Sequence, residues 1–267
     1  METKLYGGKV VVEFKENPYH TYKINGGRVD SVTGIIGIKD KSQPLIYWAV
    51  GLCKDYLTEK IEELTGGNRE AILSLIDEAS KQYSIRKQES ATIGDKIHTW
   101  CEEYITAKLT GGVAPEMPEE KSVQIGVVAF LDWEEKHKVK FISSERVLYS
   151  KKYKYSGKMD IEATVDGKLC VVDLKSSNAL YKEVGLQTSA YLKADEEESG
   201  KKYDGRWAVR LSKETEDEYI TRMEKKAKKD YSPYQVFEAK ELLGVDEDFK
   251  AFLACQNLYD WDKQKVF

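Results

Sequence analysis

Apolar and polar positions alternate along this chain with two different periods. Near the start, VVVEF, HTYKI and RVDSVTGII, set around the turn-rich triplet Asn25-Gly26-Gly27, predict short strands over residues 9–38. Helical spacing then takes over. Ser42-Gln43-Pro44 is a start signal for a helix from Pro44 to Leu64 that Gly66-Gly67 ends. A second helix is predicted over Asn68 to Arg86, with Ile72, Leu75, Ile76 and Ala79 on one stripe, and a third over Ala91 to Leu109. After a loop at Gly111 to Pro118, a fourth helix covers Glu119 to Lys136, and FISSERVLYS (141–150) is a strand. Further on, the pattern predicts a helix at Glu183 to Ala194, a strand at Arg206 to Leu211 with Tyr219 to Met223 as its possible partner, and closing helices at Pro233 to Leu243 and Asp246 to Tyr259. No internal repeat or linker interrupts the series. A helix-rich amino-terminal part followed by a small sheet flanked by helices is an α/β or α+β pattern.

Between the fourth helix and the next lies SGKMDIEATVDGKLCVVDLKSS, residues 156–177. Asp166-Gly167 is a strong two-residue hairpin turn, so Val165 pairs with Lys168, and counting back sets Asp160 opposite Asp173. Two carboxylates about 5 Å apart, at an effective dielectric of about 20, repel by about 3 kcal/mol. A divalent cation would offset that, since Mg²⁺ is commonly held by one or two carboxylates plus waters and phosphates. Alternation puts Lys158, Asp160, Glu162, Asp173 and Lys175 on one face, and Met159, Ile161, Ala163, Val165, Cys170, Val172 and Leu174 on the other. The competing reading is a solvated hairpin face whose surface ion pairs contribute little.

Composition narrows the picture only in part. With 267 residues, 41% hydrophobic, 17 Tyr and 5 Trp, the chain can bury a substantial core, and 33% charged residues make it very soluble. No secretory signal and no apolar run of transmembrane length is visible, so the expectation is a cytoplasmic protein without a membrane partner. Four cysteines lack C-x-x-C spacing, which disfavours a zinc ribbon or a compact iron–sulfur motif and predicts reduced, structural thiols. The net charge of -4 announces no nucleic-acid binder, yet YSKKYKYSGK (149–158) and RMEKKAKK (222–229) are basic and DEEES (195–199) is acidic.

The third helix contains GDKIHTWCEEY, in which Gly94, His98 and Glu102 recur every four residues and stack on one face, beside a core stripe of Ile93, Ile97, Trp100, Cys101 and Tyr104. Such a His is either a satisfied structural residue or a metal ligand. The helix after the hairpin carries Gln187 and Tyr191 at the same spacing, which alone are ordinary helix-face residues.

Taken in order, Gly94-x-x-x-His98, Asp160 within GKMD, Asp173-Leu174-Lys175 within VVDLKSS, and Gln187-x-x-x-Tyr191 resemble the PD-(D/E)XK nuclease superfamily. The branch most resembled is the RecB-like exonucleases, which include phage recombination and mitochondrial genome-maintenance exonucleases. The resemblance spans residues 90–212 and, more loosely, VDSVTGII and LIYWA. It implies one nuclease domain over 1–267, with strands and helices at 1–89, a catalytic core at 90–212 and a helical extension at 213–267. It implies further that His98, Asp160, Asp173 and the Leu174 carbonyl bind Mg²⁺, for which Mn²⁺ can substitute, that Lys175 stands beside the attacking water, and that Gln187 and Tyr191 position the DNA strand. The sequence departs from the family in having Met159 where the family name has Pro, and in lacking the clustered cysteines of the branch's iron–sulfur members.

The expected activity is therefore Mg²⁺-dependent exonucleolytic hydrolysis of linear DNA with free ends, in recombination, repair or replication of a bacterial or phage-infected cell, with a recombination or replication protein as possible partner. Lys151, Lys152 and Lys154, in the basic turn before Asp160, are candidate phosphate contacts, and Glu102 and Glu145 are candidates for an outer ring around the metal. Two alternatives stay open: a DNA-binding or recombination module on a nuclease fold that no longer cuts, and an unrelated domain with a hairpin of surface charges.

Overall fold

The computed structural model describes residues 1–16, 20–225 and 231–264. The basic run predicted at 222–229 falls from residue 226 onward outside the described residues. The chain forms two compact units, Met1–Ile38 with Lys96–Phe267, and Lys39–Asp95.

The first unit is built on a mixed sheet flanked by helices. Its strands are β1 (Glu2–Leu5), β2 (Val10–Lys15), β3 (Thr21–Ile24), β4 (Gly27–Ser31), β5 (Lys140–Ser150), β6 (Tyr155–Val165), β7 (Lys168–Lys175), β8 (Gly205–Leu211) and β9 (Phe237–Glu241). The helices are α1 (Val32–Ile36), the end of α4 (Arg69–Thr110), α5 (Lys121–Lys136), α6 (Glu183–Ser199), α7 (Glu216–Lys225) and α8 (Val245–Gln264). The second unit holds α2 (Ser42–Glu59), α3 (Ile61–Gly66) and the first part of α4.

Strands β1 to β4 form an antiparallel meander that joins the rest through a short parallel pairing, Asp30 with Tyr155 and Ser31 with Ser156. Antiparallel β5 covers one edge of β6 along its length, while β7 takes the other edge from Ile161 to Val165. β8 then pairs parallel to β7, and β9 antiparallel to β8. β4 and β7 thus share one edge of β6 at its two ends, and the ladders leave Gly157 to Asp160 between them without a partner strand on that side. Against this sheet α1, α6 and α8 bury Val32, Ile35, Tyr155, Met159, Ala190, Tyr191 and Phe252 in one cluster. Close helix packing in this unit needs Gly126, where a Cβ would stand 2.3 Å from Ile97 Cδ1.

Several predicted elements change identity. VTGII is helix α1, not strand: Ser31 Oγ accepts from the Gly34 amide at 3.0 Å, and Val32, Ile35 and Ile36 bury at helical spacing that their β-branched character disguises. The second and third predicted helices are one, because Lys87-Gln88-Glu89-Ser90 contains no breaker and Arg86 pairs with Glu89 along the same face. Tyr219 to Met223 lies in helix α7, started by a capping box in which the Thr215 amide donates to Glu218 and the Glu218 amide donates to Thr215 Oγ1. The segment read as a helix over Pro233 to Leu243 holds β9, since the open edge of β8 offers a ladder that outweighs the helix propensity of Glu, Ala and Lys. β1 went unpredicted, and the helix from Pro44 divides at Lys60.

In the second unit α2 packs along α4: Trp48 meets Tyr83 edge to face at 5.1 Å, and Tyr56 donates to Glu78. Among the described residues no helix is long and apolar enough to cross a membrane, and all four cysteines are free.

One buried cation ties the first unit together. Arg206 on β8 is 1% exposed and donates to the Gly185 carbonyl, Thr188 Oγ1, the Leu243 carbonyl and Asp248 Oδ2, linking β8, α6 and the entry to α8. Arg206→Leu should cost about 3 kcal/mol in urea unfolding, because it orphans two carbonyls and a carboxylate. Arg206→Lys should recover little of that, because an ammonium cannot reproduce the planar fork.

Candidate metal centre

The predicted hairpin register holds where the two strands pair: Val165 meets Lys168, and the ladder runs back to Ile161 with Val172. One position further on, where Asp160 and Asp173 would face each other, the backbone pairing stops. The Asp160 side chain takes over, and its Oδ2 accepts from the Leu174 amide at 2.9 Å. On its other edge β6 is interrupted at the same place: Ser144 pairs with Ile161 and Arg146 with Met159, but Glu145 between them lies in the left-handed region at φ 52, and the Asp160 carbonyl accepts from Ser144 Oγ. A glutamate with positive φ inside a strand is a strained position of the kind that marks functional sites.

This break corrects the predicted faces. Met159 packs against α6, yet Glu162, three positions on and expected to share the face of Asp160, pairs with Arg146 and Lys201, and Arg146 itself reaches Asp195 of α6 at 2.6 Å. Alternation would put Met159 and Glu162 on opposite faces. Glu162 therefore belongs to a structural ion network, and the site is the interruption itself.

At the interruption, His98 of α4, Glu145 and Asp160 each present one donor atom, all within 4.8 Å of one another. His98 Nδ1 is 3.9 Å from Asp160 Oδ2. Its direction is set by Ile97, Cys101 and Ile105, buried on the flank of the helix next to it, which anchor that side of α4 in the core. Glu145, expected in an outer ring, thus stands in the donor set. Glu102 does not: it is exposed and lines, with Glu145, Lys158 and the β2–β3 hairpin, a cleft of about 940 Å³.

Asp173 lies beside this set. Its carboxylate is completely buried, and its partner is the Lys175 ammonium, whose Nζ lies 2.6 Å from Oδ2. Burial, helped by the charge of Asp160 and opposed by Lys175, pushes Asp173 up to about 7. Glu145 is likewise pushed up to about 7, by burial and then Asp160, against the pull of Lys158. Burial pulls Lys175 down, but Asp173 and Asp160 outweigh it and keep the ammonium charged. A buried carboxylate paired with one ammonium, next to three converging O and N donors, fits a hard divalent cation such as Mg²⁺ or Mn²⁺ and suits neither a soft metal nor a zinc site rich in sulfur.

Gln187 and Tyr191 are brought together on α6, where Gln187 Nε2 donates to the Tyr191 hydroxyl at 3.1 Å. Tyr191 itself is 3% exposed and its ring lies over Gly157, where a Cβ would stand 2.5 Å from Cε1. A buried ring cannot touch a polymer, so any contact with a substrate falls to the half-buried Gln187 that it holds. Leu174 meets the site through its amide. Lys151 covers the Tyr6 ring at 3.9 Å, the Lys152 amide donates to Glu197, ten residues along α6 from Gln187 or about 15 Å of helix rise, and Lys154 stands in the turn between β5 and β6 with a left-handed backbone. The acidic run of α6 is part of this seam, because Glu197 and Glu198 accept from Tyr6, Ser150 and Arg146.

Both raised carboxyls keep a proton in the folded chain at pH values where an unfolded Asp or Glu has lost it. Their contribution to stability is complete below about pH 4 and is lost as pH climbs through about 7. Melting in EDTA should accordingly fall by several degrees between pH 5 and pH 8, and Asp173→Asn should flatten that slope; parallel curves would show that Asp173 ionises normally.

No model of a known protein family matches this chain, and no curated protein matches it in sequence.

Proposed function

We propose that this protein is a metal-dependent deoxyribonuclease that hydrolyses phosphodiester bonds from the free ends of linear DNA, and that His98, Glu145 and Asp160, with Asp173 beside them, hold one or two Mg²⁺ ions. The observation that carries the reading is the buried carboxylate of Asp173, which burial and a like charge both disfavour, next to a charged lysine and a converging His, Glu and Asp. The ordered motifs of the sequence, which resemble RecB-like exonucleases, support the choice of DNA as substrate and of an exonuclease over an endonuclease. When bound, Mg²⁺ supplies an acidified water and positive charge for the phosphate and the leaving oxygen.

The chain's own groups have separate tasks. Lys175 is charged and cannot accept a proton, so it orients the attacking water and offsets charge building on the phosphate. The Leu174 amide fixes the Asp160 carboxylate before any ligand arrives. Tyr191, seated over Gly157, accepts from the Gln187 amide nitrogen and so holds Gln187 where it can position the DNA strand. Recombination, repair or replication is the process such chemistry serves.

An end-labelled DNA time course with Mg²⁺, comparing linear with covalently closed circular substrates, is the direct test. Linear DNA should shorten from its ends while circles persist; cutting of circles would indicate an endonuclease, and DNA binding without cutting would indicate an inactive module. Asp160→Asn should lower the rate by at least about a hundredfold while leaving metal-free stability level or raised, because the amide oxygen still accepts from Leu174 and the repulsion on Asp173 is gone. A fully active Asp160→Asn protein would remove Asp160 from the mechanism.

A further inference from the structure

Lys158 has no part in the ligand set described so far, yet it holds one of its members. Its ammonium is paired with Glu145 and, at 3.1 Å, with Glu16 Oε1, and it lies 5.5 Å from the centre of the Phe14 ring. Lys158 and Glu145 both have side chains only 14% exposed, whereas that of Glu16 is 58% exposed. Glu145 is the residue with the left-handed backbone. Glu16 follows directly on β2, and Phe14, Lys15, Glu16 and Thr21 of the β2–β3 hairpin form one wall of the cleft that Glu102 and Glu145 line from the other side.

We propose that Lys158 is a resident counter-ion that holds Glu145 in its ligating position while the centre lacks a metal, and that it hands Glu145 to an arriving divalent cation and keeps Glu16 as its partner. The inference rests on the reading of His98, Glu145 and Asp160 as a divalent-cation centre. A cation bound by Glu145 takes the same carboxylate that neutralises Lys158, and it places two positive charges beside an ammonium largely withdrawn from water. Glu16 is the second carboxylate already in contact, and it is solvated enough to move. Metal occupancy is thereby linked to the seat of the β2–β3 hairpin at the cleft wall. Linkage runs both ways: whatever strengthens the Lys158–Glu16 pair strengthens metal binding, and the reverse.

The test is calorimetric titration of the metal-free, full-length protein with MnCl₂ and MgCl₂, with melting curves to show that each variant folds. Lys158→Met should bind Mn²⁺ about tenfold tighter or more, because a like charge has left the centre. Lys158→Gln should show the same direction, and Lys158→Arg should bind as the wild type does. Glu16→Gln, outside the ligand set but bound to the same ammonium as Glu145, should bind several-fold more weakly. Amide exchange at Phe14 to Glu16 should slow on adding Mn²⁺ in the wild type but not in Glu16→Gln. Unchanged or weaker binding in both Lys158→Met and Lys158→Gln would make Lys158 a structural prop, and unchanged binding in Glu16→Gln would remove the handover. Wild-type metal binding without DNA cleavage would leave this inference standing and overturn the nuclease reading, while no metal binding at all would overturn both.

Discussion

A single hydrogen bond, from the Leu174 amide to the Asp160 carboxylate, marks the place on which the centre depends. Strand β6 is paired by β4 at one end and β7 at the other, and between them its edge has no partner strand among the described residues. Backbone groups around Asp160 find other partners: the Leu174 amide donates to the Asp160 carboxylate on the β7 side, and on the β5 side the Asp160 carbonyl accepts from the Ser144 hydroxyl. The sheet thereby opens where side chains from α4, β5, β6 and β7 can converge. Ordinary pairing through Asp160 would direct its carboxylate by strict alternation and leave no such opening.

The cost of the arrangement is electrostatic. Asp173 is sealed from water beside a second carboxylate, and Glu145 is bent into a backbone conformation that only surrounding structure can maintain. Lys175, against Asp173, and Lys158, against Glu145, offset part of that cost. The rest of the unit is stiff around them: the Arg206 fork, the Arg146 network with Asp195, Glu198 and Glu162, and the Tyr191 ring over Gly157 fix the elements that carry the charged groups. Strain tolerated at one place and rigidity around it are complementary requirements of a preorganised centre.

Much of this was legible in the sequence because it is local. Asp166-Gly167 set the hairpin register, which in turn brought Asp160 and Asp173 near each other, and helical spacing joined Gln187 to Tyr191. What escaped depends on distant partners or on backbone irregularity. Glu145 looks like any polar residue in a strand, since nothing in SSERV announces a positive φ. Glu162 alternated correctly on paper and moved because the strand breaks at Asp160. β9 was hidden by helix-forming residues whose behaviour is decided by the open edge of β8. The capping box at Thr215 and Glu218 was readable, and was obscured by the aromatic and β-branched residues that follow it.

The parallel pairing of β4 with β6 carries a consequence for how the protein is made. Nearly half the chain separates Asp30 from Tyr155, so the β1–β4 meander leaves the ribosome long before the strand that completes it. During that interval the outer edge of β4 is a row of open donors and acceptors, the kind of edge on which strands of other chains dock. Slow synthesis through residues 32–154 would prolong that exposure, and the yield of native protein would then be governed by the pace of translation as well as by the depth of the final energy minimum.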